Sequence, residues 1–148
     1  KKKYFIILGL DALDNKLDSN YLFSKICKSI VPIKQILLDQ KIIAGVGNIY
    51  ACEILFNAKM SPFIKGKELT KTDCQKIIVS TQKILNKAIL AGGSTLKDFA
   101  SADGTLGSFQ DNFKVYNRSG KKILGKSIKK ATQYGRSTFY CPDLQLSK

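Results

Sequence analysis

A chain of 148 residues, 44% of them hydrophobic, can bury one modest core or two small ones sharing a boundary. Its 25 lysines and arginines against 11 acids, with no histidine, leave a net charge of +14, far from the balance of an ordinary soluble enzyme and suited to a polyanion. No apolar run in this sequence approaches the roughly 20 residues that span a bilayer. A solvated lysine-rich surface is the plain reading of such charge, but its distribution argues for a binding face. From Phe113 onward Asp143 is the only acid against Lys114, Arg118, Lys121, Lys122, Lys126, Lys129, Lys130, Arg136 and Lys148.

In chain order, Lys1-Lys2-Lys3 ahead of Tyr4-Phe5-Ile6-Ile7-Leu8 imitates a signal peptide, but Asp11 and Asp14 interrupt it and no small-residue cleavage site follows. Tyr4 to Leu8 reads instead as a short extended segment, and the protein as soluble and intracellular. The only methionine is Met60, so the chain is expected to be a processed piece or a fragment. Ser19 or Asn20 is positioned to cap a helix through Tyr21, Leu22, Ile26 and Cys27, which Val31-Pro32 punctuates. A short helix from Pro32 or Ile33 to Asp39 and a second from Ile49 to about Ala58 enclose the most informative stretch of the chain. Between them, Gly45 and Gly47 can take backbone angles closed to other residues, and Asn48 occupies the place of a helix N-cap. A helix start there presents free amides and the positive end of the helix dipole, which favour a bound anion. The residues leave two readings of Asn48 open, a helix cap alone or a phosphate site.

The clearest helix follows. Thr70 and Asp73 form a start of the capping-box kind, and Cys74, Ile77, Ile78, Thr81, Ile84, Leu85 and Ala88 recur at helical spacing until Gly92-Gly93 stops it. Beyond Ser101 the pattern shifts to short segments, Phe113 to Tyr116 and Ser137 to Tyr140 among them, separated by Asn117, Gly120, Gly125 and Gly135, which reads as a small β-hairpin unit. Four cysteines, Cys27, Cys52, Cys74 and Cys141, are widely separated and form no Cys-x-x-Cys pair. A disulfide framework is not expected, Cys52 and Cys74 fall on apolar helix faces as buried free thiols, and zinc finds no four-ligand set.

Three motifs in order carry a family resemblance over nearly the whole chain. Pro32-Ile33-Lys34 with Leu37 to Glu53 resembles the helix-two-turn-helix of the formamidopyrimidine-DNA glycosylase and endonuclease VIII family. Gly92-Gly93-Ser94-Thr95-Leu96-Lys97-Asp98-Phe99 resembles its lesion-covering loop, and Gly135-Arg136-Ser137-Thr138-Phe139-Tyr140-Cys141 its finger tip. The resemblance implies a mainly α fold with a small C-terminal β-hairpin. Residues 1–13 would be the remnant of a linker from a missing N-terminal catalytic domain, 14–100 the helix-two-turn-helix DNA-binding domain, and 101–148 a hairpin finger. It also implies base-excision repair, in which a full-length enzyme flips an oxidised purine out of duplex DNA, cleaves its glycosidic bond and nicks the strand by elimination.

By that resemblance Gly47, Asn48, Ile49 and Arg136 meet DNA. Arg136, whose planar five-donor fork suits two phosphates, is also credited with assisting the elimination; as a residue it could equally be a surface arginine. Thr95, Leu96, Lys97, Asp98 and Phe99 would close over the flipped base, or be a plain connection. Lys34 and Lys41 flank the first helix and supply either unspecific phosphate contacts or a solvated face. The family's nucleophile, an N-terminal proline amine followed by glutamate and supported by a hairpin lysine, has no counterpart in this chain, so activity of the chain alone is not expected. Zinc-bearing members carry two Cys-x-x-Cys pairs; here Lys122-Ile123-Leu124-Gly125 stands in the first place and only Cys141 remains of the second. A zincless finger is therefore expected, held by Ile123, Leu124, Ile128, Phe139 and Leu144. Ile30 and Val31 stand where the family often has a basic pair. The expected partner is damaged or abasic double-stranded DNA, bound by a monomer in the cytoplasm at the nucleoid, with no cofactor. A non-catalytic protein for bent or abasic duplex and an RNA- or ribosome-associated basic protein are the other readings.

Overall fold

The computed structural model describes residues 8–90 and 113–148. Strand β1 (Leu10–Asp11) leads into helix α1 (Ser19–Ile26), whose N-cap is Asp18, not Ser19 or Asn20: the Asp18 carboxylate accepts the Tyr21 N–H at 2.8 Å. Carboxylate and amide sit three residues apart, the spacing a capping side chain needs. Helix α2 (Ile33–Leu38) starts directly behind Pro32, in extended conformation, and buries Ile33, Ile36 and Leu37. Strand β2 (Ile43–Ala44) then pairs in parallel with β1, Leu10 opposite Ile43 and Asp11 opposite Ala44. No alternation signals so short a pair.

Helix α3 (Asn48–Asn57) is the centre of the molecule, with Tyr50 to Leu55 all buried. It packs against α2, against α4 (Lys71–Leu90) and against the last strand of the finger. Buried on nearly every side, it has no clean apolar stripe. The start of α4 is the expected capping box: Thr70 N–H donates to Asp73 at 3.0 Å and Asp73 N–H to the Thr70 hydroxyl at 3.1 Å. Leu22, Ile26, Ile33, Leu37, Ile54, Leu55 and Ile77 meet in one core shared by the four helices among the described residues.

The C-terminal part is two antiparallel hairpins, β3 (Lys122–Ile123) with β4 (Lys126–Ser127) and β5 (Lys129–Gln133) with β6 (Arg136–Tyr140). Val115, Ile128, Phe139 and Cys141 are buried together with Cys52 of α3, while Phe56, Ile123 and Leu144 pack alongside. The finger's small core is thus completed by the helical part. Leu124 departs from expectation: it is 81% exposed at a hairpin tip and contributes nothing to this core. Phe113 to Tyr116 is also not a strand. After the finger the chain returns to the helices, with Leu146 N–H donating to the Lys59 carbonyl at 3.0 Å and Lys148 paired to Asp73 at 2.7 Å. This mainly helical fold with a C-terminal hairpin unit is the expected one. Tyr4 to Ile7, the stop at Gly92-Gly93 and the loop Thr95 to Phe99 lie outside the described residues.

Candidate nucleic-acid interface

The turn between α2 and α3 is shaped by one glycine. Gly45 has φ +98, in the left-handed region that suits a residue without Cβ, whereas Gly47 has φ −96, open to any residue. The Gln40 side chain braces this turn, accepting the Gly45 N–H at 2.8 Å and donating to the Val46 carbonyl at 3.2 Å. Gly47, exposed, is the N-cap of α3, and Asn48 is the first residue of the helix and not its cap. No side chain caps this helix, so its first-turn amides keep the anion-seeking character of a bare N-terminus.

Asn48 is engaged elsewhere. Its Oδ1 accepts from Lys34 Nζ at 2.6 Å, and its Nδ2 donates to the Ser137 carbonyl at 3.0 Å. Lys34 Nζ also donates to that same carbonyl, at 3.2 Å. Three groups from α2, α3 and β6, the lysine and the carbonyl 103 residues apart in sequence, close into one triangle. Lys34 is only 1% exposed, which removes the reading of it as a solvated surface lysine. Burial holds its ammonium below the ordinary value of 10.5; Cys52 acts the other way, and the nearby Arg136 charge adds to the lowering.

Arg136 therefore lies within electrostatic reach of the triangle, next in sequence to the clamped Ser137, with its own side chain exposed. It opens β6 behind a two-residue turn, Tyr134-Gly135, with φ +51 and +76. The structure thus brings Gly47, Asn48, Ile49, Lys34 and Arg136 to one place. Lys41 stands beyond α2, exposed, its N–H donating to Asp39 at 3.0 Å. The arrangement offers one bare helix N-terminus and one exposed guanidinium on a joint that cannot shift without breaking charge-assisted hydrogen bonds.

A second joint was not foreseen from the residues. Glu53, 4% exposed on α3, accepts the N–H groups of Lys114 at 2.8 Å and of Val115 and Tyr116 at 2.9 Å. These bonds satisfy the backbone of the segment expected as a strand. The sequence signal for it is a single carboxylate inside the otherwise apolar run Ile49 to Phe56, which has no reason to be buried without donors.

Beside the start of α3 lies a cavity of about 450 Å³, lined by Asp11, Gly47, Ile49, Tyr50, Leu85 and Ala88 among others. Tyr50 is 8% exposed, its hydroxyl is buried with no hydrogen-bond partner among the described residues, and burial, followed by the Glu53 charge, raises its pKa. Burial likewise raises the Cys52 thiol and pushes Cys74 to about 11, so neither offers a thiolate nucleophile at neutral pH. Among the described residues no three histidine, cysteine or acidic side chains gather as metal ligands, and Cys141 is enclosed in the apolar cluster. The residues present do not fit structural zinc, which needs about four ligands.

The family model for the formamidopyrimidine-DNA glycosylase H2TH domain matches residues 8–100. The chain is similar to the formamidopyrimidine-DNA glycosylase of Zymomonas mobilis, 46% identical over 143 residues, which cover 96% of this chain and 53% of that protein. Its similarity to the Rickettsia bellii protein of the same name is 43% over 147 residues, 98% of this chain and 54% of that one. The crystal structure of the MutM (Fpg) protein from Thermus thermophilus superposes with a TM-score of 0.83 at 36% identity, covering 94% of this chain and 54% of that one. The complex between the Lactococcus lactis Fpg and an abasic site containing DNA gives 0.82 at 35% identity, covering 93% and 51%. The chain spans about half the length of the relatives it matches.

Proposed function

The chain belongs to the formamidopyrimidine-DNA glycosylase family, and on that premise we propose that it is the DNA-gripping part of a base-excision repair glycosylase and AP lyase acting on oxidised purines. The observation that carries this reading is the Lys34–Asn48–Ser137 triangle. It joins an uncapped helix N-terminus to the strand that presents Arg136, two phosphate-seeking groups of different elements held as one rigid surface. Extruding a nucleotide requires the backbone on both sides of it to be pinched. The α3 amides hold one phosphate and Arg136 the next, while exposed Lys41 adds sequence-independent attraction.

The cavity beside α3 suits the extruded base: it opens next to Gly47 and Ile49, its walls are mostly apolar, and the Tyr50 hydroxyl is a polar group without a partner among the described residues. Residues Thr95 to Phe99 cover that base in this reading, and Arg136 assists the later elimination. Residues 14–100 are the helix-two-turn-helix unit and 101–148 the finger, with 1–13 as linker. The amine that attacks the sugar belongs to the part of the relatives that this chain does not span.

Arg136→Ala tests the pinch. It should abolish preference for a duplex carrying a stable abasic-site analogue while lowering the salt slope of binding by about 1 and leaving the rest of the background affinity. Equal loss on intact and abasic duplex would overturn the role.

A further inference from the structure

Tyr134 is unaccounted for by the triangle, the finger core or the charge. It sits at the first central position of the β5–β6 turn with φ +51, and Gly135 follows with φ +76. Such a turn needs positive φ at both central residues and favours Asn, Asp or Gly at the first; a bulky side chain there is strained. The ring gains little burial in exchange, since Tyr134 is 63% exposed. It lines a groove of about 370 Å³ together with Leu38, Asp39, Gln40 and Lys41 at the end of α2. Arg136 follows two residues on and pairs with Gln133 across the turn. A strained, exposed aromatic that shares a groove with Lys41 and precedes Arg136 by two residues points to an apolar contact within a polyanion site, because strain kept with little folding benefit concentrates where it serves binding.

We propose that Tyr134 is a further DNA-contact residue, its ring packing against a nucleoside adjoining the phosphate that Arg136 and the α3 N-terminus hold. This rests on the reading of that surface as a DNA site. Arg136 and Lys41 neutralise phosphates and give no hold on the flat, apolar part of a nucleotide. The phenol ring supplies that hold with two side-chain torsions to immobilise, and stacking on it is indifferent to which base is present. The contact adds affinity without adding charge, so it is separable from every lysine and arginine by its salt dependence.

The test is anisotropy binding of the chain to a labelled duplex carrying a stable abasic-site analogue, across a salt series, with thermal melting of each variant. Tyr134→Gly relieves the backbone and is expected to melt no lower than the parent, yet to bind about five- to thirtyfold more weakly with an unchanged salt slope. Tyr134→Phe should bind as the parent does, since the ring and not the hydroxyl makes the contact. Leu124→Gly, at a turn residue with φ +50 in the other hairpin, measures the backbone relief separately and should match the melting gain of Tyr134→Gly. If Tyr134→Gly binds like the parent while Arg136→Ala and Asn48→Ala weaken binding, the ring is a turn residue only and the proposal is overturned. A Tyr134→Gly loss accompanied by a lower salt slope overturns it as well. If all three variants bind like the parent, the DNA site itself is refuted, a distinct outcome.

Discussion

Glu53→Gln changes a buried carboxylate to an amide of nearly the same volume, so its effect reports the hydrogen bonds and not packing. Three backbone N–H groups converge on the carboxylate at 2.8, 2.9 and 2.9 Å. Bonds to a charged acceptor contribute about 1.5–3 kcal/mol each, whereas the one oxygen left to glutamine can keep one or two neutral bonds of about 1 kcal/mol. Glutamine also turns its NH₂ towards backbone donors. Against these losses, the substitution relieves the cost of burying the charge, several kcal/mol. The net expectation is a destabilisation of about 2–3 kcal/mol, a large share of the 5–15 kcal/mol typical of a folded domain. At about 2–4 °C per kcal/mol for a chain of this size, melting should fall by about 5–10 °C. Hydrogen exchange supplies the local readout: amides 114–116 should lose protection before those of α3 and α4. A variant that melts like the parent with those amides still protected would refute the assignment of Glu53 as the anchor of the finger.

Three further outcomes follow from the same geometry. Lys34→Met keeps the buried stem but deletes the ammonium and its bonds to Asn48 and Ser137; that loss, about 1.5 kcal/mol per charge-assisted bond and partly offset by relief of the buried charge, should lower the melting temperature and, by loosening the joint, weaken binding to the abasic duplex, whereas wild-type affinity would refute the triangle's role in binding. Because the folded-state pKa of Lys34 lies below its ordinary 10.5, the unfolded chain binds more protons between the two values. Stability from this group therefore rises with pH in that window, and urea unfolding of the parent against Lys34→Met as the pH is raised towards 10.5 should show that rise in the parent only. Gly47→Ala meets φ −96 and no atom within 4 Å of the added Cβ; the poorer N-cap and the reduced freedom of the unfolded chain act in opposite directions at about 1 kcal/mol each, so melting should shift by no more than a few degrees. Weakened DNA binding by this variant would mark close phosphate approach at α3, and unaltered binding would exclude it.

The fold was legible where the determinants are local. Thr70 and Asp73 announce α4 because the capping box spans three residues, and the glycine turn announces α2 and α3. What escaped was nonlocal. Nothing near Lys34 signals its burial, because the carbonyl that covers it arrives from Ser137 on a hairpin formed far along the chain. Asn48 reads as a cap from its place before Ile49, yet the lysine and that carbonyl take both ends of its amide, and the cap passes to Gly47. Phe113 to Tyr116 reads as a strand from its β-forming residues, but its amides are claimed by Glu53. Hydrophobicity alone gives Leu124 a core position, whereas with φ +50 it sits at a turn tip, exposed and outside the cluster of Phe139 and Ile128.

In the proposed reading the Lys34–Asn48–Ser137 joint makes one surface that holds a distorted DNA backbone. Its most direct test is anisotropy binding of this chain to a duplex with a stable abasic-site analogue beside the same duplex undamaged, at two salt concentrations. Tighter binding to the abasic duplex, persisting at the higher salt, is the predicted result. Equal affinity for both duplexes, falling steeply and identically with salt, would contradict the claim and reduce the surface to its charge.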